Sequence, residues 1–129
     1  MSVTYEVDGS TIALRLRGEY TTAAVRATAL AAFADPDAAG ATGLLFDVSH
    51  SRSIAGRSAS EVRAMADFLA SHAERFGRRL ALVASSDAAF GLMRLGAVGL
   101  EQKGVDSRVF RDLAEAEAWL GQFATHRTA

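Results

Sequence analysis

Two stretches, ATGLLFDV at 41–48 and RLALVAS at 79–85, are apolar without alternation. A strand that is apolar on both sides has to be covered on both faces, and this happens in mostly parallel sheets flanked by helices. Each stretch runs into a polar loop and then into a helical pattern. Strand followed by helix, repeated, marks parallel crossover units.

The remaining segments extend this order. VTYEV and TIALRLR alternate on either side of Asp8-Gly9, a hairpin signal, with strands at about 3–7 and 11–17. YTTAAVRATALAAFADPD carries Val25, Ala29, Ala32 and Phe33 at helical spacing, with Thr21 or Thr22 as cap and Pro36 as stop. Ser58 and Glu61 have capping-box spacing. Behind them Val62, Met65, Ala66, Leu69, Ala73 and Phe76 form the stripe of one long helix that ends at Gly77. SSDAAFGLMRLGAVGLEQKG reads as a helix capped by Ser86 or Asp87 and stopped by Gly104, with Ala89, Leu92, Met93, Gly96 and Leu100 inward. VDSRVF is a last strand, and RDLAEAEAWLGQF a last helix capped by Asp112, with Leu113, Ala116, Leu120 and Phe123 inward. The order ββαβαβαβα predicts an α/β fold with a mixed, mostly parallel sheet of about five strands. The expected organisation is one domain over 1–129 with a frayed tail over 124–129.

Composition narrows the function classes. Fourteen basic against fifteen acidic residues leave a net charge of −1, against a nucleic-acid-binding or anionic-membrane surface. No cysteine is present, so disulfides and thiolate metal sites are excluded. No window has the roughly 18 continuous apolar residues of a membrane helix. MSVTYEVDGS lacks the pattern of a signal peptide, so the expected compartment is the cytoplasm.

Ligands of open α/β sheets sit at the carboxyl ends of the parallel strands. Two loops occupy that place, Asp47 to Arg57 and Ser85 to Asp87. Their candidate contact residues are Asp47, Ser49, His50, Ser58, Ser85, Ser86 and Asp87, with hydroxyls and helix N–H groups suited to a small anion or a partner. The competing reading is that these residues are caps and turn formers. IAGRSAS does not give the G-x-S-x-G of a nucleophile elbow, so no catalytic residue is assigned. His50, His72 and His126 form no metal-binding pair, and no metal or cofactor is expected. Gly91, Gly96, Gly99 and Gly104 are spread along a helix, where they serve close packing instead of a phosphate loop. Phe90, Met93, Leu95 and Val98 make that helix apolar nearly all round, as a dimer face or a ligand groove would require.

The pieces LLFDVS, LALVASSDAAFGLMR and VDSRVFRDLAEAEAWL, in this order, resemble the SpoIIAA-like branch of the STAS domains, over about residues 3 to 123. STAS domains are named after sulfate transporters and anti-sigma-factor antagonists. The resemblance implies a small bacterial, non-enzymatic module that binds protein partners. In the antagonists a phosphorylatable serine opens the second helix within a D-S-S-G-type signature. Asp47 and Ser49 match the strand end of that pattern, but the Asp-Ser pair falls on about Ala55 and Gly56, so the phosphoacceptor is missing. The expectation is therefore a homodimer that binds itself and a regulatory protein without catalysis. The rival is a carrier of a small apolar or lipid-like ligand in a groove near the third helix.

Overall fold

The computed structural model describes residues 2–51 and 53–124. A hairpin opens it: β1 (Ser2–Asp8) pairs antiparallel with β2 (Thr11–Gly18). Gly9 takes φ 60° at the turn, the conformation that the Asp-Gly pair announced. There follow α1 (Thr22–Ala34), β3 (Gly43–Ser51), α2 (Ala59–Ser71), β4 (Arg79–Val83), α3 (Asp87–Gln102), β5 (Asp106–Phe110) and α4 (Leu113–Gly121). The sheet runs β1-β2-β3-β4-β5, parallel from β2 onward. This is the predicted α/β order with its five-stranded mixed sheet.

The strand period sorts the core into two layers. Ile12, Leu14, Leu44, Phe46, Leu80 and Leu82 face α1, α2 and α3. Ala13, Leu45, Ala81 and Val83 face Ala116, Trp119 and Leu120 of α4. Both sides of β3 and β4 are thus covered, which is why these runs read as continuously apolar.

Three segments depart from the expectation. The predicted long helix stops at Ser71, and a 3₁₀ turn carries the chain over Ala73–Phe76 to Gly77. Spacing of i and i+3 stays on one face of a 3₁₀ turn as well, so Ala73 and Phe76 are still buried. The His72 ring packs between Phe33 and Phe68, with centroids 5.4 and 5.0 Å away. β3 runs on to Ser51, so Asp47, Ser49 and His50 lie on a strand and not in a loop. A bulge makes this fit: Arg15 pairs with Asp47 but Arg17 with His50. In α4, Trp119 is buried although it lies off the expected stripe. It packs against Phe110 and Phe123, because among the described residues α4 is the one helix on its face of the sheet. The tail from 125 onward, with His126, lies outside the described residues. Among the described residues no helix is long and apolar enough to cross a membrane.

Candidate functional site

The carboxyl ends of β3 and β4 lie side by side, and the structure brings part of the predicted set together there. Ser85 Oγ donates to the Ser49 carbonyl at 3.0 Å, tying the two strand ends. Asp47 is 3% exposed, on the α4 side of the sheet. It accepts from Ser49 N at 2.9 Å, Ser49 Oγ at 2.6 Å and Arg15 Nη1 at 3.3 Å. Arg15 continues to Glu6 at 3.0 Å. All of these groups hold the bulged end of β3 in shape. Taking the Ser49 N–H onto a side chain withdraws it from the ladder, which is how a bulge is stabilised.

Two helix N-termini flank these strand ends. Ser58 Oγ accepts from Glu61 N at 3.1 Å while Glu61 Oε1 accepts from Ser58 N at 3.0 Å, a complete capping box. The Ser58 N–H, followed by Arg57, holds the Glu61 carboxyl below the usual glutamate range. Ser86 Oγ caps α3 through Ala89 N at 3.1 Å. Asp87 opens α3 and pairs with Arg111 at 2.7 Å. His50 is exposed on β3, opposite Arg17. The result is a polar platform of Ser49, His50, Ser85 and Asp87 between two capped helices. Ala55 and Gly56, where the resemblance puts the Asp-Ser pair, sit in a 3₁₀ turn (Ile54–Gly56) just ahead of α2. Neither side chain carries a hydroxyl.

The apolar candidates on α3 separate. Met93 is 3% exposed and points into the core. It lines a cavity of about 50 Å³ among α1, α2, α3 and the sheet, with Val25, Phe46, Leu69 and Leu82. Phe90 and Val98 line a different, outer groove, and Leu95 is half-buried. Ala97, outside the predicted inward set, is buried, and Leu92, inside that set, is half-buried. Gly96 and Gly99 face α2: a Cβ at Gly96 would stand 3.3 Å from Val62 Cγ1, and one at Gly99 3.7 Å from Ala66 Cβ. They serve helix packing, as their spacing indicated.

Two residues that the sequence did not single out shape this region. Arg57 lies over the Tyr20 ring, 4.6 Å from its centroid, donates to the Tyr20 carbonyl and pairs with Glu61 at 3.3 Å. Tyr20, Arg57 and Glu61 all border the inner cavity. Burial pushes the Tyr20 phenol above the usual tyrosine range. The Arg57–Glu61 pair is legible as i,i+4 spacing. Its contact with Tyr20, 37 residues away, is not. Among the described residues no group of three or more metal-ligating side chains gathers.

A family model described as SpoIIAA-like matches residues 11–121. No curated protein matches the chain, and no solved structure does.

Proposed function

The chain belongs to the SpoIIAA-like family, and from that premise we propose that it acts in the cytoplasm, without catalysis, as a homodimer that binds a regulatory protein. The observation that carries this reading is the platform at the strand ends. Its hydroxyls and carboxylates are spent on local geometry: two caps, one bulge and one strand-to-strand tie. Ser85, held by this tie, faces solvent at the strand ends, with His50 and Asp87 exposed there as well. A preformed polar surface loses little entropy when a folded partner docks on it. A phosphorylation switch at the position usual for the sigma-factor antagonists has no acceptor here, because that position is Gly56. The partner is therefore held in a way that does not depend on modifying that position.

The carrier reading has the apolar cavity beside Met93 in its favour. At about 50 Å³ this space is far below the roughly 300–1,000 Å³ of sites that enclose drug-sized molecules, and the outer groove beside Phe90 and Val98, at about 440 Å³, is lined by the charged Arg94, Glu101 and Arg108 as well as by apolar side chains. Native mass spectrometry of the chain, purified without denaturation, separates the two readings. The binding-module reading expects no small molecule on the chain. A bound mass that is lost on denaturation would overturn it in favour of the carrier.

A further inference from the structure

Among the described residues β5 is an edge strand, hydrogen-bonded to no strand but β4. Asp106 N–H donates to Arg78 O at 2.8 Å, and the Phe110 carbonyl accepts from Ala84 N at 3.0 Å. In a parallel ladder the groups that reach the partner alternate along the strand. The backbone N–H and C=O of Ser107 and Val109 therefore point to the open edge. Beside that edge runs a groove of about 440 Å³, lined among others by Phe90, Arg94, Val98, Glu101, Arg108 and Val109. Val98 is 57% exposed, more than any other large apolar residue among those described.

The charges on this face have a particular symmetry. Arg94 and Glu101 lie seven residues apart, two helical turns, on either side of Val98. Both are exposed, and among the described residues neither takes part in an ion pair within the chain. Along β5 and its lead-in, the sequence Val105-Asp106-Ser107-Arg108-Val109 is apolar at both ends and opposite in charge about Ser107. Ser107 Oγ donates to the Ala97 carbonyl at 3.0 Å, so the centre of the strand pattern is level with the centre of the helix pattern. A single two-fold axis can therefore satisfy both.

We propose that a second copy of the chain occupies this groove, with β5 pairing antiparallel to β5 about an axis at Ser107 and α3 packing on α3 about Val98. The interface rests on the homodimer of the proposed function and gives it a location. A two-fold interface uses the same patch on both copies, so each contact occurs twice. Ser107 meets Ser107 with its N–H and C=O already turned outward, as the hydrogen-bonded pair of an antiparallel ladder requires. Val105 then faces Val109, and Asp106, which also pairs with Arg79 of its own chain at 3.3 Å, faces Arg108 of the second copy. On the helices Arg94 faces Glu101 of the second copy. The five-stranded sheet becomes one of ten strands, and neither β5 edge is left open.

Sedimentation velocity on the full chain over a range of concentrations tests this. The wild type is expected at twice the 13.6 kDa of one chain. Arg94→Glu alone, or Glu101→Arg alone, turns two symmetry-related attractions into repulsions and weakens the dimer by about tenfold or more. The double variant Arg94→Glu with Glu101→Arg restores it, because the pairs re-form with exchanged signs. Far-UV circular dichroism checks that each variant folds. A wild type that stays at 13.6 kDa overturns both the interface and the homodimer, and leaves protein binding at the strand ends standing. A dimer unmoved by either single variant overturns this interface alone.

Discussion

Ser58 separates a structural from a functional reading of the loop before α2. Its Oγ takes the Glu61 N–H at 3.1 Å, and its own N–H goes to Glu61 Oε1 at 3.0 Å. Alanine at this position removes the acceptor for one of the free N–H groups of the first turn. The site is exposed, so water can take that group over, and the loss stays near the middle of the range for N-caps, about 1 kcal/mol. Ser58→Gly costs only a few tenths of that unit, because glycine adopts the cap conformation and admits water. Ser58→Asp keeps an acceptor and puts a negative charge at the positive end of α2, so it stays within about 0.5 kcal/mol of the wild type. Urea unfolding followed by far-UV circular dichroism reads these differences. Ser58→Ala lowers the midpoint by about 0.3–1 M at unchanged slope, and the melting temperature by about 3–6 °C. The expected order of stability is Ala, then Gly, then Asp close to Ser. A Ser58→Ala protein that unfolds with the wild type refutes the capping argument. It would return Ser58 to the candidates for a working hydroxyl.

Other consequences follow from single contacts. Gly77 has φ 66°, and a Cβ there would stand 2.9 Å from Thr42 Cα and O, so Gly77→Ala should cost about 2–4 kcal/mol in chemical denaturation. Asp47→Ala leaves Arg15 and the Ser49 N–H without their buried acceptor; a loss of about 2–3 kcal/mol is expected in the same assay. The Asp35 hydrogen bond raises the Tyr5 phenol, and burial raises that of Tyr20, so both ionise later in the folded chain than in the unfolded one. The stability from the neutral phenols is therefore complete below the ordinary tyrosine pKa and is lost as pH rises through the folded values. Tyrosinate absorbance against pH should show a higher midpoint for the native than for the urea-unfolded chain, and coincident curves would contradict this.

The order of elements was legible because every segment carried its own local signal. The Asp8-Gly9 turn, the Ser58–Glu61 box and the stop at Pro36 are short-range chemistry, written in neighbouring residues. Three features were hidden for physical reasons. The break of α2 at His72 leaves the apolar spacing unchanged, since positions three apart share a face in α- and 3₁₀-turns alike. The extension of β3 to Ser51 depends on pairing with Arg17 and Gly18, more than thirty residues earlier in the chain. The burial of Ala97 and the half-buried state of Leu92 depend on how α3 leans on α2 and β5. Of the candidate site, the caps could be read from spacing alone. The tie between Ser85 and Ser49, the bond from Arg15 to Asp47 and the place of Arg57 over Tyr20 arise only when the sheet is assembled.

A partner protein is proposed to dock on the strand-end platform. Affinity capture from the cells that make this chain, read by quantitative mass spectrometry, tests it most directly. The baits are the wild type, a platform variant, His50→Glu, and the groove variant Arg94→Glu. The expected result is a protein that is retained by the wild type and by Arg94→Glu but lost with His50→Glu. If every protein bound to the wild type is bound equally by His50→Glu, the platform is not the binding surface and the claim fails.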